Sequence, residues 1–316
     1  MKTKVFAESK KRKDSIGKVY LKNNIELTLL GLPGILLLFV FCYIPMGGVI
    51  IAFKNYTYAD GILGSKWIGF DNFKFFFTSQ DAWRITRNTV GYGIVFIALG
   101  IAAGVALALI LNEVSNKVSL KIYQTTMILP NFLSWVIVGY ITYVFLNPTS
   151  GVLNQIVKLF GGNEIAWYSE PKYWPFILPI VQVWKSVGMG SLIYYSTLMG
   201  MDSSIFEAAE IDGAGKLQKI KYITIPSLIP IMTIMLIMNV GNVIKGDFGL
   251  FYQVTRDVGL LYPTTDIIDT YVFRALKGGS MAMSSAVGLF QSVVGFIMVI
   301  ITNKIVTKIE PDNAMF

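Results

Sequence analysis

The sequence predicts an all-α polytopic membrane protein with six transmembrane helices. Three observations predict it. Mean hydropathy is +0.58, and hydrophobic residues make up 54% of the chain against about 45–50% in soluble domains. Charged residues are 15% against about 25%, so 27 basic and 19 acidic side chains cannot coat a soluble domain of 316 residues. Those charges also cluster, leaving uncharged stretches longer than the roughly 20 residues that cross a bilayer.

The spans follow in order. Leu27–Phe53 carries no charge. Eight Lys/Arg precede it within the first 26 residues, as in a secretory signal. The apolar run is about twice the 7–15 residues of a signal core, however, and no A-x-A site follows. It reads as a retained helix, bent at Pro45-Met46-Gly47. Asn88–Asn112 and Ile122–Asn147 are likewise uncharged, Trp174–Met201 is interrupted only by Lys185, and Tyr222–Ile244 and Gly278–Asn303 complete the six. The organisation expected is a basic N-tail over 1–26, a transmembrane domain over 27–303 and a C-tail over 304–316. Within the N-tail, Lys18-Val19-Tyr20-Leu21-Lys22 reads as an interfacial stretch, with its basic groups at phosphate level.

Orientation follows from Lys and Arg, which accumulate on the cytoplasmic side. With both termini inside, the inner segments hold 15 and the outer loops 11. Without the N-tail the balance reverses to 7 against 11, so one segment carries the assignment. The outer loops Lys54–Arg87 and Lys245–Lys277, rich in aromatics, Gly and Asp, read as small caps.

Two absences restrict the chemistry. There is no histidine, the commonest general base and metal ligand. The lone cysteine, Cys42, sits in an apolar stretch, where it can form neither an intramolecular disulfide nor a thiolate cluster. Zinc proteases, histidine-ligated haem proteins and hydrolases with a histidine base are excluded. No cofactor, metal or nucleic-acid site is indicated.

The most informative segment runs from Asp202 to Pro230. Ser204 and Glu207 fit a capping box, opening a short helix over 205–211. Asp212-Gly213 breaks it, Gly taking the left-handed conformation readily. A second helical stretch starts near Gly215 and runs into the fifth span, with Pro226 and Pro230 at its start. Ala208, Ala209, Gly213, Ala214 and Gly215 leave a nearly smooth outer side for another backbone to approach. By chemistry alone this is equally an ordinary loop. Gly213-Ala214-Gly215-Lys216 imitates the end of a phosphate-binding loop, but that motif needs Gly at 210 and Ser or Thr at 217, where Glu210 and Leu217 stand.

The segment closely resembles the E-A-A-x-x-D-G-A-…-I-x-x-P loop of the permease subunits of bacterial ABC importers, through Glu207, Ala208, Ala209, Asp212, Gly213, Ala214, Ile223 and Pro226. Ile220 departs from it, since many members carry an aromatic there. Ile68-Gly69-Phe70-Asp71-Asn72-Phe73, Asp269–Arg274 and Ala286-Val287-Gly288-Leu289 are similar to segments of maltose-type sugar permeases, and the six-span oligosaccharide permeases are the nearest sub-group. The resemblance implies the type I ABC importer permease fold. It implies that residues 202–222 form a coupling helix seated in an ATP-binding subunit. It also implies four kinds of partner: a second homologous permease, two ATP-binding subunits, an extracytoplasmic solute-binding protein and an oligosaccharide, in a bacterial cell membrane whose lipid surrounds the subunit.

Polar groups inside spans are functional candidates by default. Asn239 and Asn242 share one face of the fifth helix at i, i+3, and their amides suit sugar hydroxyls as well as helix–helix hydrogen bonds. Trp184, Lys185, Ser186 and Met189 stand at matching depth on the fourth span, where maltose-type permeases are similar in having a tryptophan. Trp184 reads equally as an interfacial belt residue with Lys185 snorkelling beside it; alternatively Lys185 pairs with a substrate uronate. The function expected is permeation without catalysis. A peptide or metal-chelate permease is the near alternative. An intramembrane enzyme or a lone ion-coupled transporter would need converging ionisable groups, and the spans hold only Lys185 besides Tyr and Cys42.

Overall fold

The computed structural model describes residues 25–309. The interfacial stretch expected at Lys18–Lys22 and the end of the C-tail lie outside the described residues. Among the described residues, five continuous helical stretches are long and apolar enough to cross a membrane: Leu29–Phe53, Gln80–Asn112, Pro171–Met199, Lys216–Val240 and Met281–Lys308. A sixth candidate is a pair of helices, 117–132 and 135–146, bent by 99° at a short break.

The first span starts as α1 (Ile25–Leu38), widens to a π turn at Phe39–Tyr43 and tightens to a 3₁₀ stretch at Gly47–Phe53. Pro45 has no N–H, and its ring crowds the carbonyl four residues back; the wide turn before it absorbs that clash. The expected bend is therefore a change of pitch within a continuous span. Every residue from Leu29 to Gly47 is exposed, as suits a helix facing lipid. Only the end, at Ile51 and Ala52, is buried, against the last helix.

Two short strands, β1 (Lys54–Asn55) and β2 (Lys66–Trp67), pair antiparallel after this span, a small departure from the all-α expectation. Asn72 on α2 (Asp71–Thr78) donates to the carbonyls of Ala52 and Lys54, fastening this cap to the span. The long α3 (Gln80–Asn112) begins at Ser79, whose hydroxyl accepts the Ala82 N–H at 3.2 Å.

The stretch expected as one straight span over 122–147 is broken. Helix α4 (Lys117–Ile128) tightens to 3₁₀ at Leu129–Phe132, and α5 (Trp135–Leu146) leaves in a new direction. Pro130 cannot continue the helical hydrogen bonds, and Ser134 restarts them by accepting the Ile137 N–H. Beyond it, the short α6 (Val152–Leu159) precedes α7 (Trp174–Met199), which packs along α3. Gly188 brings α7 against the backbone of Met127 at the end of α4.

One end of the bundle carries α8 (Ser203–Ile211) and α9 (Lys216–Lys219), which leads through a π turn into α10 (Ile225–Val240). The opposite end carries residues 241–267, α11 (Ile268–Lys277) and the start of α12 (Met281–Ile309). There the Asp266 carboxylate is wholly buried between Arg84, at 3.3 Å, and Arg274, at 2.5 Å. Asn88 donates to the carbonyls of Asp266 and Pro263, and Tyr92 to that of Thr264. These bonds clamp the cap onto α3.

Candidate functional site

Helix α8 starts two residues earlier than the capping box at Ser204 and Glu207 requires. Asp202 is the cap: its carboxylate accepts the Ser204 N–H at 2.9 Å, which holds its pKa below the usual range. A carboxylate at a helix start is favoured over a hydroxyl by the positive end of the dipole. Glu207 is consequently left exposed.

The C-terminus follows the expectation closely. Gly213 has φ +78°, the Ala214 N–H reaches the Ala209 carbonyl at 2.8 Å, and the Gly213 N–H reaches that of Glu210 at 3.0 Å. This pair of bonds is a Schellman stop. The loop is then pinned twice: Lys219 pairs with Glu210, and Lys216 with Glu113 at the end of α3. Both Glu210 and Lys216 are shifted toward their charged forms by these partners. Asp212, Ala208 and Pro226 are exposed, whereas Ala209 and Ala214 are half-buried. The outer side is not smooth. Ile211 is 87% and Leu217 81% exposed, two large apolar side chains projecting from a polar loop, which the small-residue reading missed.

In the spans, Ser186 and Asn239 share one cavity of about 250 Å³ between α3, α7 and α10. Gln182, one turn before Ser186, joins them. Its Oε1 is buried without a hydrogen-bond partner. Ser186 donates to the Gln182 carbonyl and Asn239 gives one of its two N–H groups to that of Met235, so both side-chain oxygens and the second Asn239 N–H remain. The cavity thus presents uncharged acceptors and amide donors together, with Tyr194 and Gly190 on its wall.

The other candidates do not converge there. Trp184 lies about 200° round the helix from Ser186, at 100° per residue, in an apolar groove with Ile141, Phe145 and Ile180. Met189 and Asn242 are exposed, and the Asn242 amide donates to its own helix at Met238. Lys185 neither snorkels nor faces the cavity. It is buried, donates to the Asn131 carbonyl freed by the break at 2.9 Å, and sits over the Trp135 ring at 5.0 Å. Asp247 is close enough for its carboxylate to feel this charge. Burial pushes its pKa up, and the N–H groups of Leu250 and Gly249, then Lys185 and Trp135, pull it partly back.

Lys185 therefore holds the α4–α5 break. Lys185→Met should lower the thermal stability of the detergent-solubilised protein by about 1–3 kcal/mol, the cost of an orphaned carbonyl. It should reduce uptake of neutral and acidic solutes alike. A loss confined to acidic solutes would instead make the ammonium a substrate ligand.

Apolar helices long enough to cross a membrane, a neutral polar cavity between them and the α8 loop at one end are the frame of a membrane permease subunit. The chain belongs to the family of binding-protein-dependent transport system inner membrane components, whose model matches residues 98–310. It is a permease of an ABC importer, with the fold expected above. Protein LplB of Bacillus subtilis strain 168 is 36% identical over 93% of this chain and 92% of its own length. The polygalacturonan/rhamnogalacturonan transport system permease protein YteP of the same organism is 32% identical over 98% and 95%. A crystal structure of a bacterial ABC transporter involved in the import of the acidic polysaccharide alginate contains a chain that superposes with a TM-score of 0.84. That chain is 30% identical, and the match covers 92% of this chain and 98% of that one.

Proposed function

We propose that the protein is one half of the translocation pathway of an ATP-driven oligosaccharide importer and does no covalent chemistry itself. The observation that carries this reading is the cavity of Gln182, Ser186 and Asn239: uncharged side-chain oxygens and amide N–H groups suit hydroxyls, which both donate and accept. The saccharides named for YteP and for the alginate transporter support it. A second permease completes the pathway, two ATP-binding subunits drive it, and a solute-binding protein delivers the ligand on the outer side. The α8 end and both termini are cytoplasmic, and residues 202–222 with Glu207, Asp212, Gly213 and Pro226 form the coupling surface.

Coupling needs only two packings of the spans and a partner that contacts them unequally. The pins from α9 to Glu113 and Glu210 carry movement of the loop into α3 and α10. The test is ATP-dependent uptake of labelled neutral and acidic trisaccharides into proteoliposomes holding the whole transporter. Gln182→Leu with Asn239→Leu should cut uptake at least about tenfold by removing two hydrogen bonds, while the ATP-binding subunits still co-purify. Undiminished uptake removes the cavity from the pathway.

A further inference from the structure

A second concave site lies just outward of the α4–α5 break. Val136, Gly139, Tyr140 and Tyr143 on α5 face Tyr252, Gln253 and Arg256 across a cavity of about 250 Å³, room for a single sugar ring. Gly139 allows the close approach: a Cβ there would lie 2.6 Å from the Gln253 carbonyl oxygen.

The backbone that delivers Arg256 is unusual. Arg256 and Asp257 follow one another at φ +57° and +50°, a left-handed pair that L-residues other than Gly adopt at a cost of about 1–2 kcal/mol each. The surroundings enforce it. Asp257 is held by Arg274 at 2.9 Å and by the Tyr262 hydroxyl at 3.1 Å, and its N–H reaches the Thr255 hydroxyl. Strain of this kind, over-determined by neighbours, marks functional positions. Its product is a guanidinium laid over the Tyr143 ring, 4.2 Å from the centroid.

What the side chains leave unused is equally informative. Among the described residues, no ion pair or hydrogen bond uses the Arg256 guanidinium, and neither the Gln253 amide nor the hydroxyls of Tyr140 and Tyr143 have a hydrogen-bond partner. Lys277 adds a second positive charge one ring away, 3.2 Å from the Tyr252 hydroxyl. An unpaired cation and this much unspent polarity are expensive against lipid, so the site opens to water or to the pathway. Tyrosine faces suit the C–H side of a pyranose, and a stacked guanidinium keeps its fork of N–H donors free for a carboxylate.

We propose that this site binds a uronate unit of the transported saccharide, with Arg256 pairing its carboxylate and the three tyrosines and Gln253 holding the ring. The proposal rests on the oligosaccharide reading above and adds the chemical class: the neutral cavity reads hydroxyls, and the outer site reads charge.

The experiment uses the whole transporter in proteoliposomes with three probes: tri-galacturonate, its methyl ester and a neutral galactose trisaccharide. Arg256→Gln should lower the uptake of tri-galacturonate relative to the two uncharged probes by about tenfold or more, the scale of one charge-assisted bond, mainly through KM. Arg256→Lys should restore part of the ratio. Three results overturn the proposal: an unchanged ratio, wild-type uptake confined to uncharged probes, or loss of co-purification of the second permease or of binding-protein-stimulated ATP hydrolysis, which would assign Arg256 to a partner's acidic group. Wild-type failure to take up any saccharide defeats the oligosaccharide reading itself, and so separates the two claims.

Discussion

Ile211→Asp will leave the protein in the membrane and reduce ATP-driven uptake by more than about tenfold. The side chain is 87% exposed, so its replacement removes almost no packing within the chain. A large apolar residue projecting from the exposed α8 loop has the character of an interface anchor, whose loss costs about 2 kcal/mol or more. A carboxylate in its place adds the penalty of an unpaired charge at a closed interface. Leu217, 81% exposed, should behave the same way. The measurement is capture of the ATP-binding subunits by affinity-tagged permease, alongside uptake. Full capture by both variants would place the docking surface elsewhere.

Gly188→Ala should have the largest effect on the fold. A Cβ there would lie 1.8 Å from the Met127 carbonyl oxygen, 2.3 Å from its carbon and 2.9 Å from the Ile128 nitrogen. All three atoms are backbone, so no rotamer relieves the clash. Helix α7 must move away from the end of α4, and Lys185, one turn earlier, then loses the Asn131 carbonyl. The cost belongs at the upper end of the roughly 1–3 kcal/mol of core overpacking, or beyond it. The yield of monodisperse protein in detergent and its melting temperature report it. Gly288→Ala on α12 is the control, since nothing lies within 4 Å of its Cβ. Equal behaviour of the two variants would show that α4 can yield.

The crossings and the α8 loop were legible because lipid and helix caps act through local composition. Uncharged runs of sufficient length mark spans, and Asp212-Gly213 marks a stop. The break at residues 133–134 was hidden because hydropathy is blind to direction; Pro130 followed by Ser134, a breaker and then a cap, was the available signal. Lys185 was ambiguous because its partner, Asn131, is 54 residues away. Trp184 was grouped with Ser186 by depth, although two residues on a helix point to different sides. Gln182 went unread because one amide in an apolar run has no periodic partner. The Arg256 site depends on a left-handed pair at two residues that ordinarily avoid it, and no residue-type rule foretells that.

The clamp between α3 and the cap at 241–267 has a consequence for how the chain is made. Asn88 finds its acceptors 175 and 178 residues further on, and Arg84 its carboxylate 182 residues on. At about 5–20 residues per second, those groups wait roughly 10 to 35 s after leaving the ribosome. By its end every crossing but the last is present while that end of the bundle is unlatched, with the Asn88 amide without its acceptors and Arg84 paired only with Asp81. Completion of the cap between the last two crossings is therefore the event that closes the subunit, and a chain truncated before residue 263 presents an open end to the membrane's quality-control proteases.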